Sequence, residues 1–216
     1  YSVWAMDARG YGGSPRDDTG WNTPNRSAED ISIVLNWLSE RTGEKIHLWG
    51  WSMGSMLGHL AAQQYPQNIK SLTLFGFPIP KGAKYPEDIP GTEAPQEKTT
   101  AEAAASDFLV PDSISQKAID EYIRHSLEAD PARMDWHYQH QYNEIDGSKL
   151  PMPVLLMEGE YDPLTHDDAY ADLFMKLPNA NKQWIVLKDG DHAALLEKSR
   201  GKLIDASINF IEWLGK

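Results

Sequence analysis

Five residues, Gly50-Trp51-Ser52-Met53-Gly54, constrain this chain more than any other stretch, because of what flanks them. Lys45 to Trp51 reads as a short, largely apolar strand. Ser52 to Tyr65 reads as a helix that stops at Pro66. A serine at the junction, with a glycine two residues away on either side, has the form of a strand-to-helix elbow. Such a turn forces the serine into a strained backbone conformation, and glycines let neighbouring backbone approach without a Cβ in the way. The hydroxyl then stands clear of the sheet at a helix N-terminus. There the positive end of the helix and the backbone amide of Met53 can face a developing oxyanion.

The rest of the chain alternates in the same manner. Residues 2–6 are predicted as a buried strand, followed by a glycine-rich loop from Arg9 to Pro15. Ser27 and Asp30 have capping-box spacing, Ile31, Val34, Leu35 and Leu38 recur at helical intervals, and Gly43 ends the helix. Lys70 to Phe75 is a third strand. Strand, helix, strand, helix predicts an α/β class with a mostly parallel sheet flanked by helices. The composition then shifts, with prolines at 78, 80, 86, 90 and 95, as in a linker or long excursion. Ala101–Phe108, Ser113–Ala129 and Ala132–Tyr142 are predicted as amphipathic helices with no strand between them. The sheet pattern resumes at Pro153–Met157, with a helix at Asp167–Leu177, a strand at Trp184–Leu187 and a helix at Leu203–Leu214. Residues 1–77 and 150–216 are thus expected to form the α/β core, and 78–149 an inserted helical cap or lid.

A serine nucleophile needs a base, and the base needs an acid to orient it. His47 lies inside a strand and His59 in the elbow helix, so both read as packed residues. His125, His137 and His140 fall in the insertion. His137 and His140 are at i, i+3, but no further ligand cluster accompanies them, and they read as a solvated or partner-facing pair. His166 heads a helix, as a surface residue. His192 differs, because Lys188-Asp189-Gly190-Asp191-His192 is a polar turn directly after the last strand and can carry an imidazole over the sheet edge. For the acid, Glu158, Glu160 and Asp162 follow strand 153–157. Asp162, beyond the glycine turn and fixed by Pro163, is the choice and Glu160 the fallback. Residues 76–78 hold no acid, so nothing supports a partner after the third strand.

Composition closes off other classes. Lysine plus arginine total 20 against 32 acids, a net −12 that argues against a nucleic-acid partner. Apolar runs are too short to span a bilayer. With no cysteine, the chain has no disulfide, thiolate metal site or cysteine nucleophile. No leader or basic targeting segment is recognised, which favours the cytoplasm while leaving the compartment open.

Taken together, four segments resemble an α/β-hydrolase with a helical cap. Asp7–Ser14 is similar to that family's loop after its fourth strand, Gly50–Gly54 to its nucleophile elbow, Gly159–Asp162 to its acid loop and Gly190–His192 to its histidine loop. The order Ser52, Asp162, His192 is the family's. The resemblance implies acyl transfer from a small-molecule ester to water without metal or organic cofactor. Ser52 would attack, His192 would shuttle the proton, Asp162 would orient the imidazole, and Met53 N–H would bind the oxyanion. Serine rather than aspartate at position 52 separates the chain from haloalkane dehalogenases and epoxide hydrolases. Esterases, lipases and cofactor-free haloperoxidases share the constellation, as do acyltransferases and receptors on the same fold. A cap over the serine implies an apolar, neutral substrate and a pocket to which Trp51, Trp136 and Tyr138 contribute, although packing also accounts for each of them. Finally, the resembled fold has three strands before the one expected at residues 2–6. The third of these lies beside the elbow strand and precedes the loop bearing the second oxyanion amide. The expectation is therefore an upstream segment of roughly 60–90 residues, or a companion chain.

Overall fold

The computed structural model describes residues 1–16, 18–88, 96–132 and 135–215. Thr23 opens the first helix, its Oγ1 accepting the Arg26 amide at 3.2 Å, and Pro24 occupies the first helical position. This α1 helix, Pro24–Thr42, ends at Gly43, whose φ of 74° places it in the left-handed region. The N-cap is four residues earlier than the Ser27 capping box predicts. Ser27 instead lies buried inside the helix and donates to Asn22 Oδ1 at 3.0 Å.

A short β1, Trp21–Asn22, precedes α1. After it come β2 (Ile46–Trp51), α2 (Met53–Gln64) and β3 (Ile69–Phe75), then α3 (Ala101–Ala105), α4 (Gln116–Ala129) and β4 (Asp135–Trp136). The chain closes with β5 (Val154–Gly159), α5 (Asp167–Lys176), β6 (Lys182–Leu187) and α6 (Arg200–Trp213). The main sheet has the order β2-β3-β5-β6 and every pairing in it is parallel. Its two central strands, β3 and β5, are covered on both faces, and every residue in them except Lys70 is buried. Successive residues of β5 serve opposite layers. Val154 and Leu156 join Leu35, Met56 and Tyr170 of α1, α2 and α5, whereas Leu155 and Met157 join Leu203 and Phe210 of α6. Truncating a side chain buried as Leu156 is costs about 2–5 kcal/mol.

Three expectations are corrected. Residues 2–6 form no strand. The segment pairs with no neighbour among the described residues and is exposed, Val3 at 92%. An apolar run becomes a strand only with a ladder partner, and β2 is here the outer strand of the sheet. Trp4 instead rests edge-on against Trp37 of α1, at 5.5 Å. Second, Ala132–Tyr142 is not a helix. Residues 133 and 134 lie outside the described set, β4 pairs in parallel with β1, and a 3₁₀ helix follows at Gln139–Glu144. Tyr138 breaks the helical path with a φ of 55°, and the His137 amide goes to Asn22 O at 2.8 Å rather than to a preceding turn. Third, the insertion therefore does contain a strand. Of the linker prolines, Pro90 and Pro95 lie outside the described residues.

Candidate active site

Parallel strands of matched register end together, so whatever follows them shares one edge. Trp51 pairs with Phe75, Phe75 with Met157, and Gly159 with Leu187. Ser52 comes directly after β2, Asp162 three residues beyond β5, and His192 five residues beyond β6.

Ser52 has φ 53° and ψ −125°, a strained conformation for a residue with a Cβ, costing on the order of 1–3 kcal/mol. The surroundings hold it there. Its amide donates to Phe75 O at 3.0 Å, and its carbonyl accepts Ser55 N at 2.9 Å. Of the two motif glycines only Gly50 is sterically demanded among the described residues. A Cβ there would lie 2.3 Å from Gly54 O, whereas one at Gly54 would meet nothing within 4 Å. Met53 opens α2, where first-turn amides have no acceptor inside the helix.

The loops after β5 and β6 are laced to each other. Glu160 N donates to Leu187 O at 3.0 Å and Tyr161 N to Gly190 O at 2.9 Å. Gly159 is required at this crossing, since a Cβ would approach Asp191 O to 2.5 Å. The lacing brings Asp162 Oδ2 to 2.8 Å from His192 Nδ1, and Asp162 Oδ1 accepts Leu164 N at 2.9 Å. On the other side of the ring, His192 Nε2 lies 2.8 Å from Ser52 Oγ. His192 is fully buried and Asp162 nearly so. Gly76, with φ 61°, makes room for the imidazole, because a Cβ there would sit 3.2 Å from two ring atoms.

The three carboxylates after β5 are sorted by contact. Glu158, buried at the strand end, accepts Trp184 Nε1 at 2.8 Å, and desolvation raises its pKa. Glu160 faces outward and accepts Asp189 N at 2.9 Å. Only Asp162 reaches the imidazole.

Beside Ser52 lies a cavity of about 370 Å³. Ser52, Met53 and Met56 form its floor; Tyr11, Tyr85, Trp136 and Tyr142 give aromatic wall; Thr99, Asp130 and Gln139 give polar wall. Trp136 lines this cavity, its Nε1 donating to Tyr11 Oη at 3.3 Å. Trp51 and Tyr138 are not in the lining. Trp51 packs against the His192 ring, centroids 5.5 Å apart, and its Nε1 donates to His192 O at 2.7 Å. Tyr138 stacks on His137, which in turn stacks on Trp21. His137 is thus buried between rings and does not form a solvated pair with His140. Among the described residues no group of three or more metal-ligating side chains is assembled. His59 is wholly buried in α2, and desolvation lowers its pKa to about 4. Sequence reasoning passed over Asp191 and Glu197, both buried next to His192. Their signal was two acids bracketing the short apolar run Ala193–Leu196.

A family described as the alpha/beta hydrolase fold matches residues 1–199. No curated protein sequence matches the chain. Solved structures with the same fold include an esterase from Thermogutta terrifontis, with malate bound, at a TM-score of 0.71 and 17% identity. That comparison covers 97% of this chain and 79% of the other. A hydrolase from Pseudomonas aeruginosa PA01 aligns at 0.68 and 19%, over 94% and 77%. A monoacylglycerol lipase from Paleococcus ferrophilus aligns at 0.60 and 19%, over 95% and 79%.

Proposed function

Because the chain belongs to the alpha/beta hydrolase fold family, we propose that it is a serine hydrolase. It cleaves a carboxylic ester, or a related acyl bond, of a small and largely apolar substrate. The observation that carries this reading is the unbroken relay from Asp162 through His192 to Ser52, with both hydrogen bonds at 2.8 Å.

The chemistry follows from the relay. Neutral His192 accepts the Ser52 proton at Nε2 as Oγ attacks the acyl carbon, and the proton then passes to the departing alkoxide. Asp162 keeps the Nδ1 proton in place and stabilises the imidazolium that forms in between. The Met53 amide donates to the oxyanion, and water, deprotonated by the same imidazole, releases the acid and regenerates Ser52. Segment 78–149 acts as a cap: Tyr85, Thr99, Asp130, Trp136, Gln139 and Tyr142 of the cavity wall all come from it. The wall holds one carboxylate, Asp130, and no lysine or arginine among the described residues, which favours neutral acyl groups over anionic ones.

The test is a panel of p-nitrophenyl esters of increasing acyl length, run beside a fluorophosphonate probe. Turnover with labelling of Ser52 alone supports the reading; labelling confined to another serine, or none, rejects it.

A further inference from the structure

The cavity-walling insertion is joined to the histidine loop by a buried carboxylate. Asp191 immediately precedes His192 and is fully buried. Its Oδ2 accepts two amides of the insertion, Val110 N at 2.7 Å and Leu109 N at 3.1 Å. Its Oδ1 accepts Ala193 N at 2.8 Å. One side chain thus binds the stretch between α3 and α4 to the residue after His192 through three charge-assisted hydrogen bonds. Lys198 extends the seam, its amide donating to Ser113 O at 3.2 Å and its Nζ to Asp112 O at 2.7 Å.

The His192 ring is thereby constrained from several sides. Asp162 holds Nδ1, Trp51 holds the backbone carbonyl, and Asp191 holds the flanking backbone against the insertion. A reacting imidazole must be kept within about 0.5 Å and 10–20° of its productive position, and supporting contacts of this kind set that tolerance. We infer that Asp191 is a positioning residue through which the insertion sets the His192 imidazole on Ser52, an inference that rests on the serine-hydrolase reading above. A shift of residues 109–110 reaches the base through two hydrogen bonds to one carboxylate, so it changes the rate of the chemical step before it changes substrate binding.

Other titratable groups face this carboxylate. Glu197 is 2% exposed, and its Oε2 accepts Asp191 N at 3.4 Å. Burial and the neighbouring Asp191 push the Glu197 carboxyl up to about 7. Asp107 approaches from the insertion, its pKa raised by burial, with His192, Asp191 and Asp162 in electrostatic reach. Lys198 is committed to Asp112 O. Ionised Glu197 therefore sets a second negative charge against Asp191 and weakens the seam, whereas glutamine at position 197 keeps it neutral at every pH.

The experiment uses the wild type, Asp191→Asn, Val110→Pro, the double variant and Glu197→Gln. Asparagine turns one acceptor oxygen into a donor, and proline removes the Val110 N–H from the insertion side. Asp191→Asn and Val110→Pro are each expected to lower kcat about 10–10²-fold on p-nitrophenyl butyrate, with KM within about threefold. The double variant should be no slower than the worse single one, as for two residues on one path. Hydrogen exchange should rise in both 107–113 and 188–196 for either single variant. Glu197→Gln should hold its kcat on the alkaline side, where the wild type declines. Independent, multiplying losses, or Val110→Pro with kcat and exchange at 188–196 unchanged, overturn the inference. If Asp191→Asn does not fold, Val110→Pro and Glu197→Gln still decide it. If the wild type neither turns over esters nor labels at Ser52, the hydrolase reading falls, and the exchange data still report whether the insertion and the histidine loop are coupled.

Discussion

The sheet edge that carries Ser52, Asp162 and His192 and the insertion that walls the cavity are built to different tolerances. All six residues of β5 are buried, and the loops beyond β5 and β6 hydrogen-bond to each other's backbone. In the insertion, α4 has no buried residue, α3 has one, and the last stretch is 3₁₀ rather than α-helical. The parts whose geometry must hold to fractions of an ångström stand on the elements with the most buried contact. The parts that shape the cavity stand on elements that open at lower cost. The two regions should therefore answer mutation differently, the first in rate and the second in selectivity.

The largest effect tests the first half of that contrast. Ser52→Ala and His192→Ala should each reduce kcat/KM by about 10⁴–10⁶-fold while the thermal midpoint stays within a few degrees. A comparable fall in midpoint would mean that these residues hold the edge together rather than react on it. Next, Asp162→Asn should cost about 10³–10⁴-fold through the wrong imidazole tautomer, and Glu160→Gln less than about twofold. The reverse result would transfer the acid's role to Glu160.

Stability effects come third. Gly50→Ala forces a Cβ to within 2.3 Å of Gly54 O, and urea unfolding should show a loss of about 3 kcal/mol. His59 gives a pH-dependent effect of similar size. Its folded pKa, about 4, lies below the ordinary 6.5, so the unfolded chain binds the extra proton between those values. Stability should be undiminished by this group above pH 6.5 and fall toward pH 4, by about 3 kcal/mol in total. His59→Leu should lack that slope in urea titrations, and an identical slope in the variant would place the acid sensitivity elsewhere.

The smallest effect tests the second half of the contrast. Trp136→Ala should shift the preferred acyl length by about tenfold in relative kcat/KM with little change in midpoint, because this side chain lines the cavity. Tyr138→Ala should do the opposite, since its ring is stacked on His137 and does not line that cavity. Equal behaviour of the two would dissolve the distinction between wall and support.

The sequence by itself determined the parallel α/β alternation, the elbow at Gly50–Gly54 and the chain order of serine, acid and histidine. These are written in short-range terms, as residue spacing, a run of buried strand residues, or a glycine where a Cβ would strike the next turn. Even the choice of Asp162 over Glu160 rested on a local cue, the turn ending at Pro163. Tertiary structure decided everything that depends on a lateral neighbour. Residues 2–6 read as apolar as β3 does, but β3 has a strand on each side and they have none among the described residues. Ala132–Tyr142 has helical periodicity, yet β1 supplies a ladder partner for Asp135–Trp136 and ends any helix there. Trp51 and Tyr138 left the cavity because of the rings they met, and Asp191 became the join between loop and insertion because residues 109 and 110, over eighty positions earlier, present their amides to it. A side chain's partners across the fold are set by how distant elements pack, and no spacing along the chain encodes that packing.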